Sequence, residues 1–90
     1  MLEQSITPRY DLGSIVEIIN KYGSRSSYFA NEIVSVDVRC NKVFVRLKGC
    51  DEELWVDNAD TPEEANKIAD RLLSVVASIR MNGPDRLVNQ

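Results

Sequence analysis

Reactive side chains are few in this 90-residue chain, and their spacing excludes most chemistry. There is no histidine, so general acid–base catalysis near neutral pH lacks its usual group and zinc sites of mixed His and Cys type are excluded. Cys40 and Cys50 bracket the segment 42–48. As a strand, that segment holds its ends roughly 20 Å apart, beyond disulfide reach. Two free thiols are expected, with no imidazole to activate either. Gly13, Gly23, Gly49 and Gly83 stand singly, so no phosphate-binding glycine loop can be assembled. Asp37 and Asp57 are expected to flank Phe44 on neighbouring strands, but two carboxylates on an open sheet face make a poor cage for a hard cation. The chain reads as non-enzymatic, with no catalytic residue, metal or cofactor.

What remains is non-covalent chemistry, carried by charge and by aromatic rings. Residues 51–64 hold Asp51, Glu52, Glu53, Asp57, Asp60, Glu63 and Glu64, seven carboxylates with no lysine or arginine. The remainder of the chain has eleven basic against seven acidic groups, so the molecule is polarised although its net charge is only −3. Such a segment produces a local negative field able to steer a basic partner. Part of it has an ordinary explanation: Glu63 and Glu64 suit a helix start, Asp51 and Glu52 a turn, and Glu53 a cross-strand pair with Lys48. Asp57 and Asp60 are the surplus.

The elements that position these groups follow from periodicity. A hydrophobic fraction of 43% with 28% charge suits one small domain, covering residues 1–90. Residues 1–10, with Thr7-Pro8, read as a flexible arm. Leu12, Ile15, Val16, Ile19 and Tyr22 fall at helical spacing, which predicts a short helix over 11–22, ended by Gly23, and Ser24 to Ser27 reads as a loop. From residue 32 to 57 the period becomes two, the mark of half-buried strands. A turn at Cys40-Asn41 sets Val38 against Val43, Val36 against Val45 and Val34 against Leu47. A loop over 49–52 then sets Leu47 against Leu54 and Val45 against Val56. Thr61-Pro62-Glu63-Glu64 carries a hydroxyl cap, a first-turn proline and a capping-box carboxylate. It opens a helix over 61–81 whose stripe of Ala65, Ile68, Ala69, Leu72, Val76 and Ile79 should cover the valine face; 82–90 is a tail. The expected fold is thus α+β, a three-stranded antiparallel meander with a long C-terminal helix on one face and a short N-terminal helix, in the order αβββα.

With the valines buried, the opposite sheet face presents Phe44, Arg46, Glu53, Trp55 and Asp57, with Arg46 expected opposite Trp55, close enough for the guanidinium to lie over the indole. Trp, Phe and Arg dominate binding hot spots. The competing expectation is that the N-terminal helix packs over Phe44 and Trp55 as a second small core. In size, in the acidic stretch Asp51 to Glu64 and in its lack of catalytic groups, the chain resembles small phage or mobile-element inhibitors of the anti-CRISPR type, a likeness of overall build without a shared motif. That resemblance implies a protein-binding module that occupies the basic surface of a nucleic-acid-handling complex. Phe44, Arg46 and Trp55 would be its anchors, and Glu53, Asp57 and Asp60 its electrostatic contribution. Two other readings are single-stranded nucleic-acid binding through the aromatic and basic face, and a homodimeric structural or adaptor protein. No apolar run approaches the ~20 residues of a membrane span, and residues 1–15 lack a secretory layout, so a cytoplasmic location is expected.

Overall fold

The computed structural model of the protein describes residues 4–10 and 13–82. Six strands form two antiparallel sheets, β1 (Ser5–Arg9), β2 (Ile15–Ile19) and β3 (Arg25–Phe29) in one, β4 (Ile33–Arg39), β5 (Lys42–Leu47) and β6 (Glu53–Asn58) in the other. A single 3-10 turn, Ala30–Glu32, joins them, and α1 (Pro62–Asn82) follows β6. Both sheets are simple meanders, with β2 and β5 central.

The expected N-terminal helix over 11–22 is a correction. Residues 11 and 12 lie outside the described residues, but 15–19 are strand. Ile15, Val16, Ile18 and Ile19 are β-branched, restricted in a helix and favoured on a pleated surface. Apolar residues this dense match both periods over so few positions. The period of two prevails because Val16, Ile18 and Asn20 are all buried on one face. The expected flexible arm over 1–10 is likewise replaced by β1 from Ser5 onward. It tolerates Pro8 because it is an edge strand; residues 1–3 lie outside the described residues. The loop expected over 24–27 falls largely in β3, another edge strand, where half-buried Ser26 and Tyr28 alternate with exposed Arg25, Ser27 and Phe29. The fold is therefore ββββββα, not αβββα. The tail expected over 82–90 lies, from residue 83, outside the described residues.

Within the second sheet the pairs Val38 with Val43 and Val36 with Val45 form as expected. A bulge then displaces Val34, so that Ile33 rather than Val34 meets Leu47, and Val34 is left 55% exposed. The register of β6 differs more. Val45 faces Leu54, Phe44 faces Trp55, Arg46 faces Glu53 and Val43 faces Asp57, with Val56 as the extra residue of a second bulge. The bulge turns two consecutive side chains inward, Val56 and Asp57.

Helix α1 begins as the sequence dictates. Thr61 Oγ1 accepts the Glu64 N–H at 3.2 Å, while the Glu64 carboxylate accepts from the Asp60 N–H at 3.4 Å. Ala65, Ala69, Leu72, Val76 and Ile79 are buried, and Ile68 is partly so. They pack with Ile33, Val43, Val45 and Val56 of the second sheet and with Ile6, Val16 and Ile18 of the first in one continuous core. One helix thus spans both sheets, and its far end is held by Arg80, whose guanidinium donates to the Ala30 and Ile33 carbonyls at 3.0 and 2.7 Å. The described molecule measures 43 × 31 × 19 Å. A thickness of 19 Å is that of one helix layer on one sheet layer, so the sheet faces turned away from α1 have no covering layer among the described residues.

Candidate functional site

Trp55 and Tyr22 lie at the seam between the two sheets. Tyr22 occupies the turn between β2 and β3, and Asn20 fixes that turn. Its Oδ1 accepts from the Tyr22 and Ser24 N–H groups at 3.0 and 3.1 Å, and its Nδ2 donates to the Val56 carbonyl at 3.2 Å. Asn20 is buried, and all of these groups are satisfied where solvent cannot reach them. Asp57, 1% exposed, reinforces the seam from the other side. Its Oδ1 accepts from the Lys21 and Asn58 N–H groups at 3.2 and 2.8 Å, and its Oδ2 from Gln4 Nε2 at 2.8 Å.

The turn so placed sets the Tyr22 ring 6.2 Å from that of Trp55 at a 34° tilt, within the range of favourable aromatic pairs. Asn58 links them, accepting from Trp55 Nε1 at 2.7 Å and donating to the Tyr22 hydroxyl at 3.2 Å. Both rings remain open to solvent, Trp55 at 41% and Tyr22 at 56%; Leu54 is also exposed, on the other side of β6, where it pairs with Val45. The expectation of an N-terminal helix over Phe44 and Trp55 therefore fails, because the segment it required is strand and turn.

Phe44 is half-buried at the centre of the same face, directly opposite Trp55. A guanidinium does lie over a ring here, but it is Arg39 over Phe44, at 4.2 Å, not Arg46 over Trp55. Arg46 is exposed and faces Glu53, which is ion-paired with Arg39. The expected pairing of Glu53 with Lys48 gives way to this arrangement through the shifted register. Asp37 faces Phe44 and accepts from the Ser35 hydroxyl at 3.0 Å. Asp57 does not flank Phe44 on that face; the bulge has turned it inward, which removes it from any contact surface there. Asp60 stands at the far end of β6, 3.1 Å from Lys21 Nζ. The Lys21 pKa is raised above its ordinary 10.5, first by that hydrogen bond to Asp60. The same ammonium lies 5.5 Å from the Tyr22 ring centre.

Of the six residues expected to form a site, Phe44, Arg46, Glu53 and Trp55 share one face, Asp60 lies at its margin and Asp57 is internal. Tyr22, Lys21, Arg39 and Asn58 complete it. Tyr22 carried no signal of this role, since it fitted the apolar stripe of the expected helix. Among the acidic residues of 51–64, Asp51, Glu52, Asp60, Glu63 and Glu64 are exposed. They bracket Trp55 from both ends of β6, so an exposed aromatic ring is flanked by negative charge. Among the described residues no group of three or more Cys, Asp or Glu side chains is arranged to hold a metal ion, and no helix is long and apolar enough to cross a membrane. The sequence matches no model of a known protein family and no curated protein.

Proposed function

We propose that this protein is a non-enzymatic protein-binding module, a small acidic inhibitor of the anti-CRISPR kind that acts in the cytoplasm by occupying a basic surface of a nucleic-acid-handling complex. The observation that carries the reading is the exposed Tyr22–Trp55 pair, held rigid through Asn58 and bracketed by exposed carboxylates. Aromatic side chains with few rotatable bonds lose little entropy on contact and serve as anchors. The flanking charge provides orientation and a fast encounter with a surface that has collected Lys and Arg for phosphate binding.

The test is inhibition of target cleavage by purified CRISPR effector complexes, with duplex DNA as competitor for the protein's binding. Wild-type protein should inhibit and be displaced by excess DNA. Trp55→Ala should remain folded by circular dichroism and bind more weakly by about 2 kcal/mol or more. Inhibition that survives Trp55→Ala unchanged places the contact elsewhere.

Single-stranded nucleic-acid binding is the second reading, favoured by exposed Lys42 and Arg46 beside Phe44 and Trp55 on one face. It is opposed by Glu53, Asp37 and the exposed carboxylates around β6, which repel a phosphate backbone, and by the engagement of Arg39 with Glu53. A labelled single-stranded RNA titrated at low ionic strength decides between them. Salt-sensitive binding lost in Arg46→Gln favours this second reading over the first.

A further inference from the structure

A cleft of about 570 Å³ opens between the start of β1, the end of β2 and the first half of α1. Ile6, Ile19 and Ile68 give it apolar walls, and Asp57 lies in its floor. Four further charged side chains line it, Lys21, Asp60, Glu64 and Arg71. With Asp57 they make three carboxylates against two cations among the described residues. Lys21 is taken up by Asp60. The Asp57 carboxylate is buried; among the described residues it accepts from the N–H groups of Gln4, Lys21 and Asn58, and the Lys21 ammonium acts on it at longer range. Among the described residues no cation lies within ion-pair distance of Asp57 or of Glu64. A carboxylate so deeply placed usually has a counter-charge of its own; here Asp57 shares the Lys21 ammonium with Asp60, which is hydrogen-bonded to it. The Asp57 Oδ2, with one accepted bond from the amide of the exposed Gln4, has capacity for a second. Arg71 is exposed at the rim and is the other cation of the described lining.

We propose that this cleft receives a basic side chain, arginine or lysine, projected by the protein partner. The inference rests on the protein-binding reading above and specifies what the partner inserts. An arginine or lysine has an apolar stem that matches the isoleucine walls and a charged head that matches the Asp57 and Glu64 carboxylates. The cleft and the aromatic pair adjoin through consecutive residues, Lys21 with Tyr22 and Asp57 with Asn58. The cleft opens on the α1 side of the sheet and the rings lie on the other; the two meet at the seam, where the Lys21 ammonium is 5.5 Å from the Tyr22 ring centre, so a partner that wraps this edge can reach both. A small anion fits worse, because Lys21 is already engaged and the described lining holds three carboxylates against two cations.

The probes are N-acetyl-arginine amide and N-acetyl-norleucine amide, which share a stem and differ in the charged head, followed by amide chemical shifts at low salt. The arginine probe should shift Ala59, Asp60 and Ile68 saturably, with a dissociation constant of about millimolar, and the norleucine probe should bind about tenfold more weakly. Glu64→Gln should weaken the arginine probe by roughly threefold and Arg71→Gln should strengthen it by a similar factor. Ile68→Phe, which narrows the cleft, should abolish it, with circular dichroism as the folding control. Equal binding of the two probes, or shifts that spread equally to Asp51 and Glu52, overturns the proposal. Trp55→Ala should leave the probe titration unchanged. A partner that binds wild type, Glu64→Gln and Ile68→Phe alike overturns the cleft inference while the protein-binding reading stands; a partner indifferent to Trp55→Ala overturns the aromatic contact on which that reading rests, whatever the probe does.

Discussion

At the residue scale, Asn20 and Asp57 hold the candidate site in place although neither is on its surface. Asn20 makes three hydrogen bonds with its side chain. Asn20→Ala leaves a buried carbonyl and two N–H groups short of partners and should cost about 2–4 kcal/mol in denaturant unfolding. Asn20→Asp should not restore the loss, because it sets a second oxygen against the Val56 carbonyl. Lys21 makes a pH-dependent contribution whose sign follows from its raised pKa. A raised folded-state value means that the stabilisation is complete below the unfolded value of 10.5 and is lost as pH rises through the folded one. The stability difference between wild type and Lys21→Met should therefore be level across neutral pH and close above about pH 10.5. A difference that closes on acidification only would contradict the assignment.

At the element scale, the β4–β5 turn and α1 give opposite lessons about local preference. Cys40 carries the turn at φ 58°, a region costly for a side chain and free for glycine. Cys40→Gly should stabilise the protein by about 0.5–1 kcal/mol by thermal or denaturant unfolding, while removing an exposed thiol. Helix α1, by contrast, follows local rules from cap to stripe, and its worth lies in packing. Leu72 is fully buried between the helix and the strands. Leu72→Ala should lower stability by about 2–5 kcal/mol and leave the Trp55 emission of the remaining folded protein unchanged, because the indole lies on the opposite side of the sheet.

At the scale of the whole molecule, the two meanders are joined through α1 and through the Asn20–Asp57 seam. Protection from hydrogen exchange should follow that construction: amides of Val43 and Val45, in the central strand β5, slowest, and those of β3 fast, since β3 is an edge strand with no fully buried residue. Uniform protection across both sheets would show instead that they unfold as one unit. Local signals sufficed for the helix expected over 61–81 and found over Pro62–Asn82, for the β4–β5 hairpin and for the aromatic character of one sheet face, because caps and alternating valines act within a few positions. The rest was settled by contacts between segments far apart in the chain. Ile15 to Ile19 suit a helix or a strand until burial selects the face of Val16, Ile18 and Asn20. The β6 register was open until the first sheet offered Lys21 and Gln4 as donors to an inward Asp57. Tyr22 joined Trp55 because a turn 33 positions earlier in the chain was brought to the same seam. Contacts between distant segments leave no periodic trace in either one, which is why the candidate site was half legible and its completion was not.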